Sequence, residues 1–417
     1  MSKTKTSSSK ELEAVNIGLF GHVDHGKTTI VEALTGKWAD VHSEEMKRGI
    51  TIRLGYADAV VYRCPKCKKP ACYSTSKKCP VCFGDTEPQR IISFVDAPGH
   101  NALMATVLSG ASLIDGALLI IAANEKCPQP QTAEHLMALQ IVGIKHIVIV
   151  QNKIDMVSKE EVLENYRQIK EFVKGTIAEN APIIPISAIQ RVNIDALLEA
   201  IEKYVPTPKR DLKADPKMYI ARSFDVNKPG TPIDKIVGGV IGGSLVKGKF
   251  KVGDEIEIRP GTFIGGEFKP LKTKITSLHK FGKSVKEAGP GGLVGVGTKL
   301  DPALTKSDFL AGNVAGYEGK LPPVWKRLSL DVKLFERAIG DTEINPVSEI
   351  STNETLMITS GTGRTVGLVT SGRKNEIDIE LKVPICAEIG DKVALFRQIS
   401  GRWRLIGYGI IKKNTKN

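Results

Sequence analysis

Long apolar runs are missing from this chain. The longest, Gly116 to Ala123, falls far short of the roughly 20 residues a membrane-spanning helix needs and fits a single buried strand. The opening stretch MSKTKTSSSKELEAV has no apolar segment. No secretory leader is expected there, and residues 1–13 read as a short flexible tail. Aromatic residues are scarce, at 6%, so base stacking is not the expected mode of any nucleic-acid contact; contact with backbone phosphates is. No fixed-period repeat is visible, which excludes a solenoid. Cysteines number seven, an odd count, and five of them lie between Cys64 and Cys82. That clustering argues against a secreted disulfide framework and for a metal site in a reducing compartment, hence a cytoplasmic location. What remains is ordinary: 417 residues, 41% hydrophobic and 25% charged, enough for two to four globular domains.

Charge is unevenly spread. Residues 1–205 carry 24 basic and 23 acidic side chains, whereas residues 206–417 carry 35 and 23. Almost the whole net charge of +13 therefore sits in the second half, the electrostatic footprint of a nucleic-acid partner.

The pattern changes at the same place. From Ala14 to Val205, apolar runs at 15–20, 90–97, 116–123, 146–152 and 182–187 alternate with helical segments such as KTTIVEALTG, PQTAEHLMALQIVG and KEEVLENYRQIKEFVKGT. Continuous apolar strands separated by helices predict a largely parallel sheet covered on both faces. VPTPKR (205–210) reads as a linker. Residues 206–323 are short strand patterns punctuated by glycine, as expected of an antiparallel barrel. A second linker, LPPVWK (321–326), leads into residues 324–417, which read as a second barrel. The expected fold class is therefore an α/β nucleotide-binding domain at 14–205 followed by two antiparallel β-barrel domains.

The chemistry is concentrated in the first domain. GHVDHGKT follows a strand and opens a helix, the context a phosphate loop requires. Gly21 and Gly26 allow the turns that bring backbone N–H groups onto phosphates. Lys27 supplies a cation and Thr28 a hydroxyl for Mg²⁺, and the helix N-terminus adds partial positive charge. His22, Val23, Asp24, His25 and Thr29 complete the candidate phosphate-binding segment. NKID ends a later strand. Asp155 can accept two hydrogen bonds from the guanine N1–H and amino group, a donor pair that adenine lacks. Asn152 can tie base and phosphate loop together, and Lys153 can lie along the ring. Ser187, Ala188 and Ile189 end the next strand, where a backbone N–H could reach the guanine oxygen. In DAPGH, Asp96 is placed to hold Mg²⁺ through a water, and Gly99 to offer its N–H to the γ-phosphate. Thr51, in RGITI, is placed to add a hydroxyl to Mg²⁺ when that phosphate is present. His100 is the candidate that positions the attacking water. Asp24, a carboxylate inside a phosphate loop, is expected to help hold a second Mg²⁺ in the GTP state and so to assist hydrolysis.

Cys64, Cys67, Cys79 and Cys82 form two C-x2-C pairs, a set that suits a structural Zn²⁺. Cys72 lies between them and could be a spare thiol. Cys127 and Cys386 read as ordinary buried cysteines.

These motifs, in this order and followed by two β-domains, resemble the translational GTPases of the elongation factor Tu type. More narrowly, HSEEMKRGITIRLGYADA, DAPGHNALMATVLSGASLIDGALLIIAANE, CPQPQTAEHL, RSFDVNKPGTP, PGGLVGVGTKLDP and RWRLIGYG resemble the gamma subunits of archaeal and eukaryotic translation initiation factor 2, over about residues 14–412. The form without long extensions looks archaeal. The resemblance implies binding of GTP and of methionylated initiator tRNA, delivery of that tRNA to the small ribosomal subunit, GTP hydrolysis, and docking of alpha and beta subunits into a heterotrimer. It also implies a zinc-knuckle insertion at 63–83. Two competing readings stand beside it: a nucleotide-bound scaffold subunit whose own hydrolysis is not required, and a selenocysteine-specific elongation factor, which would be expected to carry a further C-terminal domain.

Overall fold

The computed structural model describes residues 12–36, 55–96, 104–339 and 346–413. Among the described strands longer than three residues, three are buried along their whole length: β1 (Ala14–Gly21), β5 (Gly116–Ala122) and β6 (Ile147–Asn152). Such strands need cover on both faces of their sheet, and alternate side chains supply two separate cores. Leu118 and Ile120 pack with α1 (Lys27–Thr35) and α5 (Ile194–Tyr204). Leu119 and Ile121 pack with α2 (Met104–Ala111), α3 (Pro130–Val142) and α4 (Lys159–Val173).

With β2 (Gly55–Arg63), β3 (Tyr73–Ser74), β4 (Glu87–Asp96) and β7 (Ile183–Pro185) the sheet has the order β3-β2-β4-β1-β5-β6-β7. The pairings from β4 to β7 are parallel, as the sequence pattern predicts. The pairings of β2 with β4 and of β3 with β2 are antiparallel. β2 is absent from the sequence reading because only alternate residues of GYADAVVYR are fully buried, so it offers no continuous apolar run. The loops after β1, β6 and β7 and the Asp96 side chain that ends β4 meet at the C-terminal edge of the sheet, the edge where open α/β sheets bind ligands.

The segment at 205–210 is not slack. The Arg90 guanidinium donates to Val205 O at 2.7 Å and to Ile201 O at 3.0 Å, and Arg210 pairs with Asp115. Beyond it, β8 (Lys217–Phe224), β9 (Val240–Lys247), β11 (Glu255–Ile264), β12 (Glu267–Lys280), β15 (Val294–Thr298) and β16 (Val314–Gly316) form an antiparallel ring closed by the β11–β12 pairing, with the short strand β13 (Lys283–Val285) beside β12 and β10 (Phe250–Lys251) paired with β14 (Glu287–Ala288). We call it barrel II. A Cβ on Gly243 of β9 would lie 1.9 Å from Tyr219 O, so only glycine lets β8 and β9 approach this closely. Barrel III is the closed ring β17 (Val324–Ile339), β20 (Glu376–Cys386), β19 (Gly363–Arg373), β18 (Thr355–Ser360), β21 (Lys392–Ile399) and β22 (Arg402–Ile411). Each barrel has its own apolar core.

Both barrels meet the α/β domain through specific contacts. The Asn16 amide nitrogen donates to Leu113 O at 2.7 Å and to Ser244 Oγ at 3.0 Å, and its oxygen accepts from Gly292 N–H at 2.7 Å. Ala394, Phe396 and Leu405 of barrel III join the core formed by α2, α3 and α4. Among the described residues, no helix is long and apolar enough to cross a membrane.

Candidate nucleotide site and metal centre

The loop between β1 and α1 turns through Asp24 (φ 63°) and Gly26 (φ 88°), both left-handed. Gly26 is needed twice over: a Cβ there would also lie 2.4 Å from Asn152 Nδ2. Lys27 is buried, and its ammonium donates to Gly21 O at 3.1 Å and His22 O at 2.7 Å, so it lies across the loop. Thr28 Oγ1 donates to Asp96 Oδ2 at 2.7 Å. Two of the four residues that sequence pattern assigns to Mg²⁺ are thus in contact, with Asp96 fully buried at the end of β4. Neutral hydroxyl and carboxylate oxygens, preset side by side, are the donor set Mg²⁺ favours.

Asn152 joins three motifs. Its Nδ2 donates to His25 O at 3.0 Å in the phosphate loop, and its Oδ1 accepts from Ala188 N–H at 3.1 Å. Lys153 follows at φ 63° and Asp155 lies exposed in the short 3-10 turn Ile154–Met156. Ser187 and Ala188 are buried while Ile189 is 72% exposed. The phosphate loop, NKID and the 187–189 loop therefore share one edge and one connecting side chain. His22, Val23 and Thr29 line the same loop half-buried, and His25 is buried beneath it, its Nε2 3.3 Å from Glu125 Oε2. Burial holds both His22 and His25 below the usual imidazole range. Asp24 is exposed at the turn. Thr51, Gly99 and His100 lie outside the described residues.

Two residues that sequence reasoning treated only as helix touch the loop directly. Gln131 Oε1 accepts from Val23 N–H at 3.0 Å, and His135 Nδ1 accepts from Gly21 N–H at 2.8 Å. The available signal was polar side chains four apart in a helix whose neighbours are mostly apolar.

At the far edge of the sheet, the Sγ atoms of Cys64, Cys67, Cys79 and Cys82 lie within 4.8 Å of one another. The Cys64–Cys82 and Cys67–Cys79 separations are 3.5 and 3.7 Å. Four thiolates about 2.3 Å from a tetrahedral Zn²⁺ would sit about 3.8 Å apart, so the group fits that ion. Cys72 is not part of it. It is buried under the knuckle, its N–H bonded to Lys68 O and its carbonyl to Cys64 N–H. Cys127 and Cys386 are buried, as expected of structural thiols.

Residues 12–207 match the sequence model of the family "Elongation factor Tu GTP binding domain", residues 238–315 that of "Elongation factor Tu domain 2", and residues 326–411 that of "Initiation factor eIF2 gamma, C terminal". The chain is 62% identical to translation initiation factor 2 subunit gamma of Pyrococcus horikoshii over 403 residues, covering 96% of this chain and 97% of that one. The chain belongs to the translation initiation factor 2 gamma-subunit family. Its likeness to the same-named protein of Methanocaldococcus jannaschii is 58% over 412 residues, covering 98% of this chain and 99% of the relative. Membership makes it a translational GTPase, an initiation factor that takes GTP and GDP and, with them, Mg²⁺. Among solved structures, bacterial selenocysteine-specific elongation factor EF-Sec superposes with a TM-score of 0.73 at 23% identity, covering 97% of this chain and 60% of that one, a likeness of fold. Elongation factor SelB from Methanococcus maripaludis, in complex with the GTP analogue GppNHp, superposes with a TM-score of 0.71 at 25% identity, covering 97% and 80%.

Proposed function

We propose that this gamma subunit is the GTP-dependent carrier of methionylated initiator tRNA to the small ribosomal subunit. It would act in the cytoplasm as the core of a heterotrimer with alpha and beta subunits, through a nucleotide domain at 14–205 and barrel domains at 206–323 and 324–417. The observation that carries the nucleotide half is the pair of Asn152 hydrogen bonds, which lock phosphate loop and base-recognition loops into one frame. Within it, Gly21 to Thr29 and Gly99 cradle phosphates, Asp155 reads guanine, Lys153 flanks the ring, and Ser187 to Ile189 close the base pocket. Asp24 helps hold a second Mg²⁺ in the GTP state, and Thr28, Asp96 and Thr51 hold the first. That ion, when bound, neutralises charge on the β- and γ-phosphates. His100 positions the attacking water. Zn²⁺ in the four-cysteine site is structural, since four thiolates leave no open coordination position.

The tRNA half rests on charge. Residues 206–323 carry 20 basic and 12 acidic side chains, and residues 324–417 carry 15 and 11, against near balance in residues 1–205. The barrels therefore supply the field for RNA phosphates. Binding of initiator tRNA should be tighter with a GTP analogue than with GDP and should weaken steeply with salt, the slope reporting the phosphates neutralised. Charge reversals in the barrels should flatten that slope more than reversals of Lys66, Lys68, Lys69, Lys77 and Lys78 on the knuckle. A slope lost only in the knuckle variants overturns the allocation. Equal tRNA affinity with GTP analogue and GDP overturns GTP-dependent carriage. Single-turnover hydrolysis with small subunits separates the carrier from the scaffold reading: a His100→Ala protein that binds GTP but loses stimulated hydrolysis supports the carrier.

A further inference from the structure

Helix α3 touches the phosphate loop and barrel III at once. Its first turns bury four polar side chains among five consecutive positions, Gln131, Thr132, Glu134 and His135, none more than 7% exposed. Buried polar groups persist where they are bonded, and three of these have partners outside the helix. Gln131 and His135, four residues apart and so on one face, accept from the N–H groups of Val23 and Gly21. Phe20 meets the His135 ring edge-on at 5.9 Å. Consecutive helix residues point about 100° apart, so Glu134 turns away from the loop, and its Oε1 lies 3.6 Å from Arg404 Nη1 on β22 with both side chains under 10% exposed. Further along, Leu136, Leu139 and Ile141 share a core with Phe396 and Leu405 of barrel III.

A phosphate loop binds through the direction of its N–H groups. Two peptide planes at its entrance, those ending in Gly21 N–H and Val23 N–H, are fixed by α3 and not by the loop itself. Accepting at Nδ1 requires a neutral imidazole with its proton on Nε2. Burial, aided by the nearby Lys27 charge, pushes His135 down to about 3, which keeps it neutral at any physiological pH.

We propose that α3 sets the shape of the phosphate loop, with Gln131 and His135 as positioning residues and the Glu134–Arg404 pair as its anchor, so that nucleotide residence time depends on how barrel III is seated. This rests on the assignment of the loop to guanine nucleotide, and coupling of this kind is reciprocal: nucleotide occupancy would in turn bias the seating of the barrel.

The test is dissociation of fluorescent GDP by stopped flow, with the full chain. His135→Leu removes the acceptor and should speed release tenfold or more. His135→Gln keeps an acceptor within reach and should recover release to within about threefold of wild type. Arg404→Met should speed release several-fold in the wild-type background and have little further effect on His135→Leu, because the two act through one helix. Unchanged release in His135→Leu, equal release in the Leu and Gln variants, or fully additive effects of Arg404→Met would each overturn the proposal. Wild type failing to bind GDP at all would overturn the nucleotide assignment and this link with it, whereas binding that is insensitive to these variants overturns the link alone.

Discussion

Removing Asn152 tests the frame of the nucleotide site, because this one side chain joins the phosphate loop to the 187–189 loop. The side chain is 2% exposed and makes two buried bonds, one donated to His25 O at 3.0 Å and one accepted from Ala188 N–H at 3.1 Å. Asn152→Ala deletes both partners at once. Each orphaned backbone group costs about 1–3 kcal/mol when water cannot reach it, so the frame loses about 2–6 kcal/mol. Part of that is recovered where the loops relax towards solvent, which leaves about 2–4 kcal/mol to appear in binding. At about 1.4 kcal/mol per tenfold, GDP affinity should fall by about 30- to 1000-fold, read by titration with a fluorescent analogue. Asn152→Asp should be no better: it keeps an acceptor for Ala188 N–H but sets a carboxylate against the His25 carbonyl, with Gly26 packed too close to yield. Far-ultraviolet circular dichroism and thermal melting should show an intact fold, since the side chain belongs to none of the apolar clusters. Affinity within threefold of wild type in a folded Asn152→Ala protein would refute the reasoning.

Asp155→Asn should turn preference from GDP towards XDP, because xanthine presents an acceptor where guanine presents a donor; competition binding reads it, and an unchanged preference would sink the base assignment. Chelating Zn²⁺, or Cys79→Ser, should open residues 64–82 to trypsin at Lys66, Lys68, Lys69, Lys77 and Lys78 while GDP binding persists, because β2 and β4 are held by nine paired residues independently of the knuckle; loss of GDP binding would place the knuckle in the nucleotide frame instead. Burial raises the Glu134 carboxyl to about 7, partly opposed by Arg404. The folded state then binds more protons than the unfolded chain between about pH 4.5 and 7, so this group's contribution to stability is fully present below pH 4.5 and lost as pH rises through 7. Glu134→Gln should flatten that part of the melting-temperature profile, and an identical profile in the variant would remove Glu134 as its source.

The parallel half of the sheet was legible because its strands are apolar on both faces, and the phosphate loop because β1, the Gly-rich turn and α1 follow one another in the chain. β2 was not, since a half-buried strand with Gly, Asp and Tyr at alternate positions carries no apolar run. Of the helices that the strand–helix alternation implies without marking each one, α2, MATVLSGA, is too short for its periodicity to show, whereas α5, IDALLEAIEKY, repeats apolar residues at helical spacing. The 205–210 segment reads as a linker from its prolines, yet Arg90 and Asp115 pin it from positions about 90 to 120 residues earlier, which no local pattern reveals. Gln131 and His135 were hidden in the same way. Their residue types are ordinary in a helix, and only the folded arrangement brings Gly21 and Val23 against them. The pairs Cys64/Cys67 and Cys79/Cys82 were readable from spacing alone, and the structure separates Cys72 from them by giving its backbone, not its sulfur, to the knuckle.

The side chain of Asn16 couples two of barrel II's attachments to the sheet domain. One amide spans the seam, donating to Ser244 and accepting from Gly292, while its third bond stays within the sheet domain at Leu113. Sliding the barrel stretches both seam bonds together, because one amide group makes them. Any rotation at this seam would break the two bonds as a pair, and hydrogen exchange at Gly292 N–H would report how often they open.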